Sequence, residues 1–70
     1  MDWTHCEVVE SHDEIVSGAP VILGTRIPLS AIFENLEGGA TINDIVEWFP
    51  GVTEGQIKEI LRFAASSAAA

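Results

Sequence analysis

The sequence predicts an α+β domain, mostly α, in which a short N-terminal β-hairpin leads into three helices. Three observations carry this reading. Up to about position 29 the apolar residues cluster in β-branched runs broken by Gly and Pro. From Ser30 onward they recur at the spacing of one helical face. Pairs of capping residues stand where the second and third periodic segments begin. The chain reads as a single domain, 1–70, with a strand region over about 6–29 and helices over about 30–37, 41–49 and 53–66.

The elements follow in order. "CEVVES" holds Val8 and Val9 and reads as a short strand, and "SHDE" behind it has turn chemistry, with Ser11 and Asp13 able to bond nearby amides. In "VSGAP", Gly18 frees φ and Pro20 holds Ala19 extended. Val21, Ile22 and Leu23 form a triplet expected to be buried on both faces. Gly24 fits the first position of a tight primed turn, or else a bend in one longer strand. Pro28 cannot donate to a ladder and marks an edge or strand end.

The helices are read from caps and stripes. Ser30 is the expected N-cap of the first, Ile32, Phe33 and Leu36 its inner face, and Gly38–Gly39 its end. Thr41 and Asp44 form a capping box for a second helix with Ile42, Ile45, Val46 and Phe49 on one face. After "PGV", Thr53 and Gln56 repeat the box ahead of Ile57, Ile60, Leu61 and Ala64. The closing "SSAAA" is expected to fray.

Size and charge bound the function. At 70 residues the core supplies only roughly 3–5 kcal/mol. Cys6 is the only cysteine, so neither an intrachain disulfide nor a four-cysteine zinc site can supplement it. Both faces of the strand region look apolar, whereas one layer of three helices covers a single face. A homodimer formed through the N-terminal strands is therefore expected. The lone thiol, without a signal peptide or long apolar span, points to a cytoplasmic protein with no membrane contact.

Eleven acids stand against Arg26, Lys58 and Arg62, a formal net charge of −8. Such a field opposes the counterion exchange by which proteins grip phosphates and favours a basic protein partner. The last two helices nevertheless have helix-turn-helix proportions, which would lay "TEGQIKEILR" in a major groove. There Gln56 could read adenine while Lys58 and Arg62 hold phosphates, with Glu54, Glu59, Asp44 and Glu47 opposing them.

Other chemistry finds less support. His5, Cys6, His12 and Asp13 make the one potential metal cluster, but adjacent strand residues point to opposite faces. The Asp13–Glu14 pair reads as a solvated turn, and no nucleophile–base pair has convincing spacing, so no enzyme and no cofactor is expected. Arg26 sits amid apolar neighbours, where an unpaired buried charge is costly. A carboxylate partner is expected for it, the alternative being a place at the sheet edge where its head meets backbone carbonyls or a ligand phosphate, with Thr25 offering its hydroxyl to the turn backbone.

The stretch "SGAPVILGTRIPLSAIFENLEGGATINDIVEWFPGVTEGQIKEILRFAA" resembles the DUF433 family, over about residues 11–66. Gly18, Pro20, Gly24, Thr25, Arg26, Ile27 and Pro28 stand at the positions of its most specific motif. The resemblance implies a homeodomain-like or winged-helix-like domain without catalytic residues. It also implies an antitoxin of a toxin–antitoxin pair, whose partner is a PIN-like ribonuclease toxin and whose copies pair through their N-terminal strands. Under this expectation Asp44, Glu47, Glu54 and Glu59 meet the toxin's basic groups, and operator DNA is a second target. A helix-turn-helix regulator acting through Gln56, Lys58 and Arg62 is the alternative, and a small metal-binding module using His5, Cys6 and His12 a third.

Overall fold

A computed structural model describes residues 3–11 and 19–69 of the chain. A 3-10 turn at Trp3–His5 leads into β1 (Val9–Glu10), followed by β2 (Val21–Ile22), α1 (Leu29–Glu37), α2 (Ile42–Trp48) and α3 (Glu54–Ala69). The architecture is the expected α+β, mostly α, with a small antiparallel sheet ahead of three helices.

The sheet centres on β2. On one side Val9 pairs with Ile22 and Glu10 with Val21. On the other, Ile22 N–H donates to the Ile27 carbonyl at 3.0 Å, and Val21 bridges Pro28. Both edges of β2 are thus occupied within the chain. Val21 and Ile22 are each fully buried, as the β-branched pair suggested. Leu23 is not: it is 49% exposed, because the strand has already turned there. The argument that an uncovered strand face calls for a second copy therefore loses its premise, since a single chain covers both buried residues.

The turn itself also differs from expectation. Thr25 N–H donates to the Ile22 carbonyl at 3.0 Å, which makes Gly24 the third residue of an Ile22–Thr25 turn rather than the first of a primed one. Its φ of +79° is what the third position of a type II turn requires, and an L side chain resists it.

Ile22, Leu29, Ile32, Ile45, Val52, Ile57 and Ile60 form one buried cluster, contributed by β2, all three helices and the α2–α3 turn. Ile42, Val46, Phe49 and Leu61 pack around it, as their helical spacing predicts. Both capping boxes are present. Thr41 Oγ1 accepts from Asp44 N–H while Asp44 Oδ2 accepts from Thr41 N–H. Thr53 and Gln56 exchange the same two bonds at the head of α3. Helix α1 ends in a Schellman motif, with Ala40 N–H on the Asn35 carbonyl and Gly39 N–H on the Leu36 carbonyl.

Three details depart from the local reading. Ser30 is not the N-cap of α1. Pro28 occupies that position without a side-chain cap bond, and Leu29 N–H is satisfied by the Pro20 carbonyl at 3.0 Å. The strand backbone thus does the work of a capping side chain. The C-terminal "SSAAA" does not fray at once, because α3 runs on through Ala69, in keeping with the helix propensity of alanine. The third detail is Trp3. Its ring stacks on Phe63 of α3 at 5.0 Å between centroids and meets Phe33 of α1 at 6.2 Å, fastening the N-terminal turn across two helices.

Candidate interaction surface

The GTRIP loop, residues 24–28, is built residue by residue for rigidity. Thr25 Oγ1 donates to the Ile22 carbonyl at 2.8 Å and accepts from Ile27 N–H at 3.0 Å. Gly24 N–H donates to Glu10 Oε2 at 2.8 Å, which ties the turn back to β1. Ile27 packs on the core, and Pro28 bridges to β2 and heads α1. Pro20 supplies its carbonyl to Leu29. Gly18 lies outside the described residues, as do His12, Asp13 and Glu14. The expected hydroxyl contribution of Thr25 is therefore realised twice over.

Arg26 is the exception. It was expected to be enclosed and paired, yet it is exposed, and no ion pair or hydrogen bond among the described residues involves it. Thr25 and Ile27 on either side of it are half-buried, and the side chain at position 26 emerges between them into solvent. The fold gives Thr25 and Ile27 structural roles and leaves Arg26 without one.

The turn just ahead of Arg26 touches a second glycine turn. Val52 N–H donates to the Phe49 carbonyl at 3.1 Å, with Pro50 and Gly51 as the central pair and Gly51 at φ +95°. A Cβ on Gly51 would lie 3.6 Å from Thr25 Cγ2, so the two turns abut. The large apolar side chains left exposed among the described residues are Leu23 in one turn and Trp48, 56% exposed, just ahead of the other.

The helix-turn-helix proportions of α2 and α3 are present, but the proposed base-reading face is largely engaged with itself. Gln56 Oε1 accepts from Thr53 N–H, so its amide is not free for the two-point contact that adenine requires. Lys58 Nζ lies 3.5 Å from Glu54 Oε1, and Arg62 Nη1 lies 3.3 Å from Glu59 Oε2. These pairs are half-exposed or more, hence individually weak, but they cancel the charge of α3. Among the acidic candidates Asp44 is half-buried and holds the α2 cap, Glu54 and Glu59 hold the two cations, and Glu47 alone is exposed and without an intrachain partner.

The metal reading gains nothing from this geometry. Cys6 is buried and His5 exposed, so the two diverge. Among the described residues no group of three or more His, Cys, Asp or Glu could hold an ion. Also among them, no helix is long and apolar enough to cross a membrane.

In comparison with known proteins, a family model described as "Protein of unknown function (DUF433)" matches residues 9–64. The match spans both glycine turns, the sheet and nearly all of the helical unit. No curated protein and no solved structure matches the chain.

Proposed function

The chain belongs to the DUF433 family, and from that premise we propose that it is the antitoxin-like component of a toxin–antitoxin pair. In this reading it binds and occludes a PIN-like ribonuclease in the cytoplasm and associates with a second copy of itself. The observation that carries the proposal is the charge arrangement on α2 and α3. α2 and α3 carry four carboxylates, Asp44, Glu47, Glu54 and Glu59, against two cations, Lys58 and Arg62, and both cations are already held by acids of their own helix. A surface of that kind suits a basic protein better than a polyanion.

Occlusion then has a defined division of labour. Glu47 offers a free carboxylate at once. Glu54 and Glu59 exchange weak intrahelical pairs for the cations with which a ribonuclease holds RNA. Asp44 contributes field rather than contact, since its side chain holds the cap.

Co-purification of the tagged chain with the product of the neighbouring gene tests this. The expected result is a PIN-like protein whose RNA cleavage falls as the chain approaches equimolar ratio. A neighbour without an acidic triad, or one whose cleavage is unaffected, would sink the reading. The α2–turn–α3 shape favours operator binding as a second activity, though the engaged Gln56 weakens it. Electrophoretic mobility of the chain's upstream DNA at low salt decides that point, and an unshifted band removes DNA from the scheme.

A further inference from the structure

We propose that the fold is sensitive to ionic strength by construction. Glu34, Glu37 and Glu47, at the C-terminal ends of α1 and α2, hold its stability down in dilute salt, and dissolved cations restore it. This is a property of the free chain; it needs no partner and goes beyond the antitoxin reading.

The conflict begins in the sequence. Between Arg26 and Lys58 the chain carries five acids, Glu34, Glu37, Asp44, Glu47 and Glu54, and no basic residue. The fold divides these five by position. Asp44 stands in the first turn of α2 and Glu54 in that of α3, where a helix presents N–H groups and favours negative charge. The other three stand at the opposite poles. Helix α1 ends at Glu37 with Glu34 three residues before it, and Glu47 is the penultimate residue of α2. A helix C-terminus is itself partly negative, so carboxylates are repelled there and cations favoured. Neither helix has a basic residue in its last turn. Glu34 and Glu37, three apart on one side of α1, also repel each other.

The chain supplies these charges with no answer. All three glutamates are exposed, and none has an ion pair among the described residues. Lys58 and Arg62 are engaged by Glu54 and Glu59 within α3. Cations from solution are then the available counter-charge, and distance decides how strongly they act. In about 0.01 M salt the screening length is roughly 30 Å, and the molecule measures 31 × 27 × 19 Å. Each acid therefore feels the others across the whole fold. In about 1 M salt that length is roughly 3 Å, and only close contacts survive. Screening also weakens the Lys58–Glu54 and Arg62–Glu59 pairs, but exposed pairs contribute little. Three misplaced carboxylates and a net charge of −8 outweigh them. A domain of 70 residues has a narrow margin of stability, so the balance reaches the folded fraction.

Thermal melting of the full chain, followed by far-UV circular dichroism in chloride from about 0.01 to about 1 M, tests the proposal. The melting temperature should rise by at least about 5 °C over that range, equally in NaCl and KCl. Glu37→Lys and Glu47→Lys should each raise it by roughly 2–8 °C in the most dilute salt, and by much less in the most concentrated. Lysine and glutamate have similar helix propensities, so the gain reports charge. Glu54→Gln should act with the opposite sign, because it removes a well-placed acid and the partner of Lys58. A melting temperature that stays flat or falls with chloride overturns the proposal. So does the absence of any gain from Glu37→Lys and Glu47→Lys in dilute salt, or a gain undiminished in concentrated salt, which would mark packing rather than charge. A Glu54→Gln variant stabilised like the other two would reduce the effect to net charge and overturn the role of the helix ends. Each outcome is read on the chain alone, so the antitoxin reading stands or falls separately, on its own co-purification.

Discussion

The two tryptophans occupy regions of opposite character. Trp3 lies in an aromatic seam between Phe33 and Phe63 that fastens the first described turn to α1 and α3. Trp48 ends α2 with more than half of its surface in water, ahead of the glycine turn that abuts Thr25, and Leu23 and Arg26 on either side of the Gly24–Thr25 pair are not buried either. The same contrast recurs among the arginines, since Arg62 is held by Glu59 of its own helix and Arg26 by nothing described. One region completes the fold. The other is left over by it, and leftovers that are rigid, apolar and charged at once are where a small protein meets something else.

That contrast can be broken or sharpened by measurement. The largest effect is expected in the shared core beneath both regions. Ile57→Ala removes a fully buried side chain and should cost about 2–5 kcal/mol. For a domain this small that approaches the whole stability, and urea titration should find the variant largely unfolded. Next comes Trp3→Ala. Because Trp3 is only half-buried, a loss of about 2 kcal/mol is expected, below the range for a fully buried aromatic. A loss under about 0.5 kcal/mol would mean the aromatic seam does not hold the N-terminal turn.

Thr25→Val comes third. It keeps the shape of the side chain but leaves Ile27 N–H without its acceptor, an expected cost of about 1–3 kcal/mol in the same titration. The equivalent change at Thr53 loses an exposed cap and should cost about 1 kcal/mol. Gly51→Ala forces a methyl-bearing residue to φ +95° and should cost about 1 kcal/mol. The smallest effect belongs to the other region. Trp48→Ala should change monomer stability by no more than about 0.5 kcal/mol, while removing the acrylamide-accessible part of the fluorescence and leaving the Trp3 part. A large stability loss there would erase the distinction between the regions.

What could be read from the sequence divides along the range of the interactions involved. Both capping boxes and the inner faces of α2 and α3 are legible because their chemistry closes within three or four residues, at fixed helical spacing. The same holds for the Gly38–Gly39 stop. Trp3 carries no such signal, since its partners lie thirty and sixty positions away along the chain. Leu23 and Arg26 mislead for a different reason. Hydropathy treats "VILGTRIP" as one buried run, but the chain reverses after Ile22, and a reversal destroys the period on which inside and outside are judged. Ser30 misleads because a backbone carbonyl, that of Pro20, fills the capping role and leaves no trace in residue type. Of the candidate contacts, Gln56 and Asp44 are chemically apt but already engaged as cap partners, a conflict visible in the T-x-x-D and T-x-x-Q spacing itself. Glu47 and Arg26 owe their freedom to geometry alone.

The Pro20 carbonyl that receives the Leu29 amide reaches from the sheet into the first turn of α1. Opening the hairpin hands that amide back to water, so the leading turn of α1 loses a partner whenever the hairpin opens. The two are thus expected to open together rather than fray separately. In hydrogen–deuterium exchange the Leu29 amide should accordingly share its protection with the Ile22 and Leu23 amides of the hairpin, and not with the first turn of α3.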